Sequence, residues 1–97
     1  MSSDRQKLVA RILEGDGRAS RETRRAAFTN EGVSEPARAL IDKVTKHAYR
    51  VTDEDIAAAK VGGVTEDQIF ELSVCAAVGQ STRQLDAALV ALDEATK

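Results

Sequence analysis

Apolar positions along the chain recur at spacings of three and four, and no stretch alternates with period two. That pattern predicts helices and no sheet. The first helix is expected over residues 4–14. Leu8, Val9, Ile12 and Leu13 form one stripe, Ser3 with Gln6 reads as a capping box, and Gly15-Asp16-Gly17 stops it. A second helix over residues 21–30 begins behind Ser20 and ends at Gly32; its apolar content (Ala26, Ala27, Phe28) is thin, so it is expected to be short or frayed. Pro36 suits the first turn of a third, in which Ala37, Leu40, Ile41, Val44 and Ala48 recur at helical spacing. Thr52 followed by Asp53-Glu54-Asp55 opens a fourth that Gly62-Gly63 closes.

Thr65 with Gln68 is a second capping box, starting a helix to about Val78. Its Ile69, Phe70, Leu72, Val74, Cys75, Ala76, Ala77 and Val78 are apolar nearly all round, which predicts a place in the middle of the packing. Gly79 is read as a break, with Ser81 and Gln84 capping a last helix striped by Leu85, Ala88, Leu89 and Leu92. The expected fold is all-α, with five or six short helices.

Composition sharpens this picture. At 97 residues the chain is one domain, able to bury roughly 65% of its unfolded surface. Three aromatics against sixteen alanines favour helices over sheets, and an alanine-rich core buries little area per residue. Self-association is therefore expected to supply further stability. One cysteine excludes an internal disulfide and any cysteine-rich metal site. A net charge of −2 argues against a protein held mainly by phosphates. No apolar run reaches the roughly 18 residues of a membrane span, and the start does not look like a signal peptide, so a cytoplasmic location is expected. Residues 1–25 hold seven basic and four acidic side chains, whereas 26–97 hold seven and twelve. The N-terminal helices are thus expected to lie on acidic surface, of the same copy or a neighbour.

Residues 48–55 (AYRVTDED), 63–72 (GVTEDQIFEL) and 76–79 (AAVG) occur in an order that resembles the carboxymuconolactone decarboxylase and alkylhydroperoxidase D-like family. Its members carry a helix with a Glu, a CxxCxxxH or related His motif, a Gly-(Leu/Val)-(Ser/Thr)-x-(Glu/Asp)-x-Ile helix start, and an alanine-rich helix ending at glycine. The likeness spans residues 35–92, which divides the chain into an N-terminal helical segment, 1–33, and a family-like core, 34–97. Counted back from Gly63, the family's cysteine positions fall on Ala48 and Val51 and its histidine on Asp55. With Gly62 as the matching glycine the register shifts by one residue, and the motif is empty there too. Glu35 lies near the family's upstream Glu. Alanine and valine can neither attack a peroxide nor resolve a disulfide, so thiol peroxidase activity is expected to be absent. The resemblance implies an alkylhydroperoxidase D-like helical fold assembled as a trimer or hexamer, with a structural, binding or regulatory role and a residual pocket for a small apolar ligand.

An enzymatic alternative would use Glu35, His47, Tyr49 or Asp55 for proton transfer without sulfur, in a decarboxylase or isomerase-like reaction. The plainer readings are a helix-terminal His47 that suits the dipole, a Tyr49 with a wet hydroxyl at a core edge, and an Asp55 in a helix's first turn. Cys75, inside an apolar helix, reads as a small inert hydrophobe. A second alternative is a DNA-binding helix-turn-helix over residues 65–92, turning at Gly79, helped by the Arg18, Arg21, Arg24 and Arg25 cluster. Asp86, Asp93 and Glu94 in its would-be recognition helix oppose it. No cofactor or metal site is expected.

Overall fold

A computed structural model describes residues 2–96, with side chains from Asp4 onward. The Ser3–Gln6 capping box lies outside the described residues. Five α-helices follow one another: α1 (Ser2–Glu14), α2 (Arg21–Thr29), α3 (Arg38–His47), α4 (Asp53–Val61) and α5 (Glu66–Thr96). A 3-10 turn, Ala48–Arg50, joins α3 to α4. Among the described residues there is no strand, so the all-α expectation holds.

Most boundaries follow from local chemistry. The Ser20 side chain accepts from the Thr23 amide at 3.1 Å and opens α2. Thr52 and Asp55 form a reciprocal capping box on α4, and Thr65 and Gln68 form another ahead of α5, at 3.0 and 3.1 Å. Gly63, at φ +104°, takes the conformation that lets the chain leave α4 sharply. At the end of α2, Asn30 rather than Gly32 provides the left-handed cap, at φ 55°. Pro36 sits in the turn before α3, which starts at Arg38, and not inside its first turn.

The largest departure from the sequence reading is α5. It is one continuous helix of 31 residues, with Gly79, Ser81 and Gln84 inside it. The glycine is a close approach and not a break. A Cβ there would lie 2.0 Å from the Phe28 carbonyl oxygen and 2.7 Å from its carbon. The C-terminal end of α2 thus rests directly on the α5 backbone. α2 is correspondingly not a marginal element: it makes the most extensive packing on α5, with Ala27 wholly buried.

The core is built from small side chains. Ala19, Ala27, Val33, Ala37, Ile41, Leu72, Cys75 and Ala76 form its main cluster, and Leu40, Ala59 and Ile69 a second under α4. α1 lies antiparallel to α5: Arg5 reaches Thr82 and Asp86, while Arg18 just after α1 meets Asp67 and Glu71. α5 is not buried all round. Ile69, Leu72, Cys75, Ala76 and Gly79 face inward, whereas Phe70 is 71% exposed. Beyond Leu85 every described residue is exposed, and the helix projects as an arm. The radius of gyration, 14.7 Å, exceeds the ~12.5 Å of a compact chain of this length for that reason.

Candidate functional site

The family-like positions cluster at the junction of α3 and α4, and local structure accounts for each. Asp55 accepts from Lys43 Nζ at 2.9 and 3.0 Å and from the Thr52 amide at 2.9 Å. The Lys43 hydrogen bond above all, then the Thr52 amide, holds its carboxyl below the usual carboxylate range. A carboxylate so engaged is an anionic clamp between α3 and α4, not a proton donor near neutrality. Ala48 is exposed in the 3-10 turn and Val51 is half-buried against the α4 cluster.

His47 closes α3, and its ring stands edge-on to Tyr49 with centroids 6.1 Å apart. Arg50 lies 5.5 Å from the Tyr49 ring centroid, a cation–π stack on the surface. All three are exposed, Tyr49 by 79%. Glu35 sits before α3 and pairs with Arg38 at 3.6 Å. It lines two grooves, neither of which includes His47, Tyr49 or Asp55. The four candidates thus occupy three separate partner sets: Glu35 with Arg38, Asp55 with Lys43 and Thr52, and His47 with Tyr49.

Cys75 is buried, and desolvation pushes its thiol pKa up. It is a core side chain with little thiolate at neutral pH. Among the described residues no group of three or more His, Cys, Asp or Glu is placed to hold a metal ion, and no helix is long and apolar enough to cross a membrane.

The arginine cluster is spent on the chain's own groups. Arg21 donates to the Glu14 carbonyl at 3.1 Å, and Arg25 pairs with the Glu14 carboxylate. Arg24 is buried and donates to the Ile12 carbonyl at 2.9 Å. Its Nε has no partner. The helix-turn-helix expectation fails on geometry, because α5 has no turn at Gly79 and Ser81 starts no helix.

A groove of about 890 Å³ runs between α1, the 15–18 loop and α5, walled by Leu8, Ile12, Phe70 and Val74 and rimmed by Arg11, Arg18 and Asp67. Glu71 anchors that loop by accepting from the Arg18 amide at 2.8 and 2.9 Å and from the Ala19 amide at 3.3 Å. A shallower groove continues along the same two helices past Ala77, Ser81 and Leu85, and Leu8 lines both. Sequence reasoning missed this feature. Its one legible signal was Phe70, a large aromatic that the fold leaves on the outward side of α5. No protein family, characterised protein or solved structure matches the chain significantly.

Proposed function

We propose that this chain is a homo-oligomeric helical protein on a carboxymuconolactone decarboxylase-like scaffold, without thiol peroxidase chemistry, acting through assembly or binding rather than catalysis. One contrast carries the reading. Groups that could do chemistry are tied into capping and ion pairs or lie open to water, while large apolar side chains stand exposed on α1 and α5. Leu8, Phe70, Leu89, Val90 and Leu92 are each more than 40% exposed; among the described residues Tyr49 and Val61 are the other large apolar side chains so exposed, and they lie outside these two helices. Exposed apolar surface gathered along one pair of helices marks an interaction site. The long groove beside it suits an apolar or helical occupant.

Two measurements test this. Light scattering at micromolar concentration should give a mass above the monomer; a monomer removes the assembly. Purified protein with an organic hydroperoxide and a dithiol should turn over no faster than buffer, and Cys75→Ser should leave that unchanged. A clear rate abolished by Cys75→Ser would overturn the non-peroxidase reading.

A further inference from the structure

Arg24 leaves one hydrogen bond unmade beside the largest groove. Its side chain is 5% exposed and lines the groove between α1, the 15–18 loop and α5. Nη1 donates to the Ile12 carbonyl at 2.9 Å, which fixes the guanidinium in place. The Nε–H is buried and has no acceptor among the described residues. A guanidinium in a protein does not lose its proton, so this group remains a donor. A buried donor without a partner is unfavourable until an acceptor reaches it.

The surroundings select the kind of acceptor. A Cβ on Gly17 would touch Glu71 Oε1 and lie 3.7 Å from Arg24 Cζ. Guanidinium and carboxylate therefore sit close together at the loop end of the groove, with Glu71 held there by the Arg18 and Ala19 amides. Formal charges around the groove balance, Arg11, Arg18 and Arg24 against Asp16, Asp67 and Glu71. An anionic head seated against Arg24 would also face Glu71, and a cationic head seated against Glu71 would face Arg24. Either ion would give up hydration for an attraction that a neighbouring like charge largely cancels. An uncharged oxygen avoids both penalties. The walls, Leu8, Ile12, Phe70 and Val74, are apolar, and about 890 Å³ lies within the range of small-molecule sites.

We propose that this groove binds an uncharged amphiphile, an apolar chain or ring carrying a carbonyl oxygen that accepts from Arg24 Nε. The proposal rests on the binding side of the reading above and names its ligand class. The donor sets the orientation. The oxygen lies near Gly17 and Arg24, and the chain runs toward Leu8, where the shallower groove continues.

Nuclear magnetic resonance titration of the isotope-labelled full chain provides the test, because the arginine Nε–H gives its own signal. Three probes of equal chain length separate the classes: decan-2-one, decanoate and decylammonium. The ketone should move the Arg24 Nε–H resonance downfield, shift the amides of Ile12, Phe70 and Val74, and bind about tenfold or more tighter than either ion. Arg24→Lys keeps the charge and removes the Nε–H, and should weaken the ketone about tenfold, the scale of one hydrogen bond. Phe70→Ser, at an exposed wall, should keep native helicity by circular dichroism and weaken the ketone as well. Decanoate binding as tightly as the ketone overturns the uncharged class. A ketone that binds without moving the Arg24 resonance overturns the site, and no binding by any probe at millimolar concentration overturns the groove as a ligand site. Light scattering separates these failures from that of the parent reading. An oligomer that binds no probe leaves assembly standing, and a monomer removes assembly whatever the titration gives.

Discussion

Asp55 shows how a residue singled out by a family resemblance can be used for something else. The resemblance would give it the family's imidazole position, yet its oxygens serve the Thr52 capping box and the Lys43 ammonium. The pH consequence has a definite sign. Asp55 (through Lys43 and Thr52), Asp42 (through Asn30, then Lys46) and Glu66 (through Lys60) all have folded pKa values below their ordinary ones. As pH falls, the unfolded chain therefore takes up protons first. The stability these groups supply is complete above about pH 5 and is lost as pH drops through the lowered values. Thermal melts at stepped pH should show this acid loss, and Asp55→Asn should lower the melting temperature at pH 7 and flatten the slope below pH 4. An unchanged slope would remove Asp55 from that role. The capping partners of Asp55 were legible three residues apart in the sequence. Its Lys43 partner, on another helix, was not.

At the scale of elements, Gly79 decides the architecture. Read alone, a glycine after an apolar run and before Ser81 is a helix stop, and the local rules favour that reading. The structure keeps the helix intact because the α2 backbone occupies the place where a side chain would stand. The two accounts predict opposite signs. If Gly79 were only a weak point in an exposed helix, Gly79→Ala would stabilise by up to about 1 kcal/mol. Because a Cβ would strike the Phe28 carbonyl, the substitution should instead destabilise by about 1–3 kcal/mol, as overpacking does. Urea unfolding measures the difference. The same contact explains why α2 is a firm element despite its few apolar residues. Ala27 and Phe28 sit against α5, and Arg83 donates to the Phe28 carbonyl.

For the whole molecule, the controlling fact is a core of small side chains under an exposed apolar ridge. Among the described residues only Ile41 and Cys75 are both sizeable and wholly buried. Such a core leaves little margin, since burial energy scales with apolar area. The proposed assembly would add buried area where the monomer has least. The melting temperature should then rise with protein concentration, by about 3–5 °C per tenfold for a dimer of this size. A transition independent of concentration, measured by calorimetry between low and high micromolar protein, would contradict assembly-linked stability.

Helical class, the Thr52–Asp55 and Thr65–Gln68 capping boxes and the glycine stop after α4 were set by the sequence alone, because each depends on interactions within a few residues. Tertiary structure decided the rest. It made Gly79 a contact and not a stop, turned Arg24 inward, scattered Glu35, His47, Tyr49 and Asp55 among different partners, and left Phe70 in solvent. Those outcomes depend on which backbone crosses which, and no local spacing encodes where two distant helices touch.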